Sequence, residues 1–228
     1  MNKKILVIGA HPDDETLGAG ATIAKHAEQG DEVHVVIVGD GVSARYDEYT
    51  EEVAKKVQAI KDHAMDAAKI LGIKSFEVIG KRGLIFDQTP LIDFVKLIMK
   101  YIEKIKPDII YTHGSAELNI DHSILHRATV TACRPVWEHR PTEILCYEVP
   151  SSTEWVAPHP ANAFIPSVYV NVEKTLYKKI EAMKAYKDEL REFPFPRSVE
   201  YLEVLAKKRG AEVGIKAAEA FMPVRIVR

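Results

Sequence analysis

Two rhythms of apolar residues alternate along the chain. The first is a short, unbroken run rich in β-branched side chains: Lys4 to Ala10, Glu32 to Val38, Phe76 to Ile79, Pro107 to Thr112 and Glu143 to Val149. Runs of this length without polar alternation predict strands buried on both faces. The second is a longer stretch at helical spacing, over 15–29, 51–71, 90–104 and 121–133. Gly30 and Gly72 close two of these, Pro90 opens the third and Pro135 stops the fourth, which is how helices are punctuated. Strand and helix therefore alternate. That order predicts a mostly parallel, twisted sheet joined by right-handed crossovers, with helices on both faces. The expected fold class is α/β and Rossmann-like, with strand order 3-2-1-4-5.

The pattern changes in the last third. An edge strand is expected within 162–172 and a periodic helix over 173–191, where Leu176, Ile180, Met183 and Leu190 share a face. Phe193-Pro194-Phe195-Pro196 breaks it, and Ser198 caps another helix running toward Gly210. These pieces read as a C-terminal helical cap on the same core. No linker, repeat or low-complexity segment divides the chain, so the expected organisation is a single domain over 1–228.

Composition narrows the partners. The chain of 228 residues has a formal net charge of −2, which leaves no electrostatic footprint for nucleic acid and no basic run for an anionic membrane. No apolar stretch approaches the roughly 18 residues of a membrane span. Met1-Asn2-Lys3-Lys4 leads straight into a strand, not into the apolar region of a signal peptide. Cys133 and Cys146 lack a C-x-x-C spacing and fall in apolar runs, as buried thiols do. The expected location is the cytoplasm.

Candidate chemistry begins where the first strand ends, at His11-Pro12-Asp13-Asp14-Glu15. Ligands of open parallel sheets bind beyond the carboxyl ends of the strands, and Pro12 forces His11 out of helical geometry. An imidazole and a carboxylate are good zinc ligands, and a second carboxylate beside them can take a proton from water. The bland alternative is that Asp13 or Asp14 caps the following helix, which by itself requires neither His11 nor Pro12. A dinucleotide turn is excluded, because Gly9 is not followed by the G-x-G-x-x-G spacing.

A second cluster follows the fourth strand, from His113 to His126. In the expected strand order this loop faces the first motif across the crevice. Asp121 is the expected cap there, placing His122 in the first helical turn. His122 and His126 are four apart on one helix face, and His113 ends the strand. His26, His34, His63 and His139 read as structural, and His159 lies in a Pro-flanked loop.

Together the two motifs resemble the LmbE-like, or PIG-L, family of zinc de-N-acetylases. Ala10 to Glu15 reads Ala-His-Pro-Asp-Asp-Glu, the family's signature, and Asn119-Ile120-Asp121-His122 is similar to its second motif, with Glu117 where a variant form has Asp. The resemblance implies a Rossmann-like fold and hydrolysis of an acetamido group on a glucosamine-type sugar or conjugate. It implies His11, Asp14 and His122 as ligands of Zn2+, with another divalent metal such as Fe2+ as the alternative. Asp13 would be the general base and Asp121 would orient the acidic partner. Some family members form homo-oligomers.

Asn119 stands where the family has a histidine, so the general acid must come from elsewhere, and His113 is the expected donor, with Asp13 returning its own proton as the alternative. Arg45 on the loop after the second strand, and Asn119 itself, are the expected substrate contacts. Two rivals share parts of this pattern: a metal amidase acting on a non-acetyl or non-sugar amide, and a non-catalytic binding module whose carboxylates are caps.

Overall fold

The computed structural model describes residues 2–81 and 85–228; Met1, part of the N-terminal expectation above, lies outside them. The described residues form a seven-stranded sheet in the order β3-β2-β1-β4-β5-β7-β6. The first five strands, β1 (Lys4–Gly9), β2 (Glu32–Gly39), β3 (Ser75–Lys81), β4 (Ile109–His113) and β5 (Glu143–Tyr147), are parallel neighbours in the predicted order. The crossovers are α1 (Asp14–Glu28), α2 (Glu51–Leu71), α3 (Leu91–Ile105) and α4 (Ile120–Ala132).

Strand residues alternate between two cores, as a pleated backbone requires. Ile5 and Val7 join α1 and α2 in one cluster, while Leu6 and Ile8 join α3 and α4 in the other. Two glycines set close approaches near the site. A Cβ on Gly18 in α1 would meet the Tyr147 ring at 2.2 Å, so only glycine lets α1 lie against β5. Gly41 has φ +71°, and a Cβ there would meet Pro12 Cδ at 2.9 Å, which brings the loop after β2 onto the first motif.

The C-terminal third is more than a helical cap. Besides α5 (Leu176–Ala185) and α6 (Val199–Ala211) it supplies β6 (Val168–Asn171) and an unpredicted strand, β7 (Ala218–Ile226). β7 runs antiparallel between β5 and β6, leaving β6 at the edge. Its sequence hides it: Pro223 cannot donate to a ladder and sits beside a register shift opposite Leu145, and Glu219 points a charge inward. That charge is fully engaged. The Glu219 carboxylate accepts from Ala21 N–H (3.1 Å) and Thr22 N–H (2.7 Å) of α1 and from Lys179 Nζ of α5 (2.7 Å). Lys179 Nζ also donates to Leu17 O at 2.7 Å. The C-terminal third is thus wired by buried charge into the helix that begins at Asp14.

Candidate metal centre and cleft

The loop between β1 and α1 does not behave as a helix cap. Asp13 occupies the N-cap position but makes no side-chain cap bond, and its φ of 110° is left-handed, a costly conformation for a residue with a Cβ. Asp14 turns its carboxylate back, Oδ2 accepting from Ala10 N–H (3.0 Å) and His11 N–H (2.7 Å). The capping alternative therefore fails for both aspartates.

Three side chains converge behind this loop. Asp14 Oδ2 lies 3.7 Å from His11 Nδ1, and Asp14 Oδ1 lies 3.4 Å from His122 Nε2. A ligand atom from each of His11, Asp14 and His122 falls within 4.8 Å of the others, and all three residues are buried. His122 has neither ring nitrogen hydrogen-bonded although both are buried, an arrangement that costs free energy unless a further group engages them. Two imidazoles and a carboxylate at this spacing form the donor set of a catalytic metal site with an open position. The residues fit a divalent transition metal.

Surrounding groups hold the ligands. Asp121 Oδ2 accepts from His11 Nε2 at 3.0 Å, with His11 Nδ1 on the side of Asp14, and Asp121 Oδ1 accepts from Phe86 N–H at 3.1 Å. A carboxylate behind a ligating histidine fixes its tautomer and raises its basicity. Glu117 Oε2 stands 3.6 Å from His122 Nδ1, and its carboxylate is held by Ser152 Oγ (2.6 Å) and Thr153 Oγ1 (2.7 Å). Burial pushes the His122 imidazole down, but Asp14 and Glu117 outweigh it and raise its pKa to about 10. Burial likewise raises the Asp14 carboxyl, yet His122 and His113 hold it well below the usual range. The cluster favours positive charge at its centre.

Asp13 stands apart from the ligands, on the wall of a cleft of about 400 Å³ that also includes His11, Asp14 and His122. Burial pushes its carboxyl well above the usual range; Arg197 opposes this, while Asp14 and Glu189 add to it. A divalent cation held by the adjacent cluster would act in the same direction as Arg197. A larger cavity, about 490 Å³, lies between α3 and the segment after α4, beside Trp137 and His139. It holds no such ligand cluster among the described residues.

Several expectations need correction. His113 is fully buried, its Nε2 accepts from Ala10 N–H at 2.9 Å, and its ring stacks on the back of His122 at 4.0 Å. Burial and the neighbouring His122 lower its pKa to about 4, its Nε2 also lies 3.3 Å from Asp14 Oδ2, and it is not among the residues lining the cleft. Asp121 is not the helix cap: the cap of α4 is Asn119, whose Oδ1 accepts from Asp121 N–H at 3.0 Å, and the Asp121 carboxylate accepts from His11. Asn119 and Arg45 do line the cleft, but Arg45 Nη2 is bound to Glu189 Oε1 at 2.8 Å. His126 donates from Nδ1 to His113 O at 3.0 Å and is not a ligand. The structure adds Arg197, Glu189 and Glu117. Arg197 lies between the Pro196 break and the Ser198 cap, and nothing in the sequence says which loop it would meet.

Among the described residues no helix is long and apolar enough to cross a membrane. The family model described as PIG-L, GlcNAc-PI de-N-acetylase, matches residues 6–133. The chain is 30% identical over 195 residues to the uncharacterized deacetylase YaiS of Escherichia coli K12, covering 81% of this chain and 91% of that protein. It is 33% identical over 130 residues to 4-oxalmesaconate hydratase of Pseudomonas putida, covering 54% of this chain and 48% of that one. Among solved structures, N,N'-diacetylchitobiose deacetylase from Pyrococcus horikoshii superposes with a TM-score of 0.78 at 20% identity, over 97% of this chain and 84% of that one, a likeness of fold. With the signature loop, the matching strand order and these similarities in hand, the chain belongs to the PIG-L (LmbE-like) family of metal-dependent de-N-acetylases.

Proposed function

We propose that the protein is a zinc-dependent hydrolase that removes an N-acetyl group from an N-acetylglucosamine-type sugar or sugar conjugate. The observation that carries this reading is the division of labour in the first motif: Asp14 joins His11 and His122, whereas Asp13 is held apart on the cleft wall. His11, Asp14 and His122 would hold the metal, which would supply Lewis acidity to the acetyl carbonyl and lower the pKa of water to about 7. Asp13 Oδ2 is occupied by Arg197 at 3.0 Å, and Oδ1 has no partner among the described residues, so Oδ1 takes the proton from the attacking water. With His113 unavailable, Asp13 returns that proton to the leaving nitrogen. Asn119 uses Oδ1 in its cap, which leaves its Nδ2 hydrogens to bind a substrate oxygen.

A second reading, addition of water to an unsaturated acid, is favoured by the hydratase relative. The charge of the cleft weighs against it: both arginines lining it are already paired with carboxylates, Arg45 with Glu189 and Arg197 with Asp13 and Glu189, so neither is left free for a dianionic substrate. The test is elemental analysis for zinc at one per chain, followed by a panel of N-acetylglucosamine conjugates, other N-acyl sugars and unsaturated dicarboxylates, with and without a chelator. Asp13→Asn should keep the metal and lose about 100-fold or more in kcat. Turnover confined to the dicarboxylates, or metal-free wild-type protein with full activity, defeats the proposal.

A further inference from the structure

Two of the three non-glycine residues with positive φ among the described residues are Asp13 (φ 110°) and Ser151 (φ 74°). They lie on the loops after β1 and β5, and both grip the same side chain. Arg197 Nη1 donates to Asp13 Oδ2 at 3.0 Å, and Arg197 Nε donates to Ser151 Oγ at 2.8 Å. Nη1 also donates to Glu189 Oε2 at 2.6 Å, and Glu189 Oε1 accepts from Arg45 Nη2 at 2.8 Å. Backbone strain at a functional site persists only where the surroundings over-determine it. Here the two strained residues are tied together by one planar, rigid fork.

We infer that Arg197 is the positioning residue for Asp13: it holds Oδ2, fixes the carboxylate's rotamer and leaves Oδ1 as the oxygen that meets the substrate. A carboxylate this buried, with a second carboxylate following it in sequence, would otherwise turn away from Asp14 or toward backbone donors. The guanidinium prevents that by geometry as well as charge. An ammonium could not span Asp13, Glu189 and Ser151 at once, because only the fork presents several donors in fixed directions. Arg197 lies in the segment before α6, beyond the 6–133 match to the family model, so the base is aimed by a part of the chain that contributes no metal ligand. The inference rests on Asp13 acting as base in the reading above.

The experiment compares Arg197→Ala, Arg197→Lys and Ser151→Ala with wild type on whichever panel substrate wild type turns over. A misaimed base costs on the order of 100-fold in rate. The expected result for Arg197→Ala is a loss of that size in kcat, KM changed little, zinc content unchanged, and partial recovery of kcat with added guanidinium but not urea. Arg197→Lys should recover little, and Ser151→Ala, which removes one grip, should lose less in the same sense. A kcat near wild type in Arg197→Ala, or a loss that guanidinium does not relieve, overturns the inference. A crystal structure of Arg197→Ala decides it without activity: the Asp13 carboxylate should leave its rotamer, and an unmoved Asp13 overturns the role. If wild type turns over nothing on the panel, the functional reading falls while that structure still judges Arg197.

Discussion

The N-terminal half and the C-terminal third build different parts of one cleft by different means. From β1 to α4 the chain is a regular run of parallel strands and crossovers, and it supplies His11, Asp14 and His122 together with their supporting Asp121 and Glu117. From β6 onward the strands are antiparallel, and the contribution to the cleft is charge: Glu189 and Arg197. The first region offers donors to a cation, and the second supplies the guanidinium beside Asp13, the carboxylate proposed above to move a proton. Metal binding and proton transfer can therefore be damaged separately, although their residues stand side by side.

The largest effect that would sharpen this contrast concerns how the two regions are fastened. Lys179 and Glu219 are both buried, and removing one leaves the other charge without its partner. Lys179→Ala should cost about 3–5 kcal/mol in denaturant unfolding, with the turnover of the folded fraction affected far less. A loss below about 1 kcal/mol would mean the buried pair is not the tie between α1 and the C-terminal third.

A smaller effect is expected behind the metal centre. His113→Gln can still present an acceptor to Ala10 N–H, so stability should fall by about 1–3 kcal/mol through imperfect replacement of a buried hydrogen bond, and kcat by less than about tenfold. Thermal unfolding and steady-state kinetics read the two separately. A kcat loss of about 100-fold with zinc retained would restore His113 as the acid.

The smallest is at the start of α4. Asn119→Ala removes a cap worth about 1 kcal/mol and the Nδ2 donor, so a modest fall in stability should accompany a weaker kcat/KM. Unchanged kinetics would limit Asn119 to its structural part.

Much of this is legible in the sequence. The unbroken apolar runs specified five parallel strands because a strand buried on both faces has no room for polar alternation. The order of strands then placed the first and second motifs on adjacent loops, since β1 and β4 are neighbours. The reach of His11, Asp14 and His122 into one cluster follows from that adjacency. β7 was not legible, because Pro223 and Glu219 break the strand pattern and their explanations lie far away in sequence: a bulge opposite β5 and a lysine on α5.

What the sequence by itself determined is local: which segments are strands and helices, that a strand ends at His11-Pro12, and that two aspartates and several histidines lie at strand ends where ligands bind. What only the tertiary structure decided is pairing. Asp121 was free to be a cap until His11 Nε2 stood 3.0 Å away; His113 was free to be an acid until Ala10 N–H took its Nε2; and Arg197 was a charge in a proline-rich break until it met Asp13 across 184 positions of chain. Periodicity records how a segment meets the core, but the role of a polar side chain depends on the partner it finds, and such partners are brought together by the sheet, not by the sequence spacing between them.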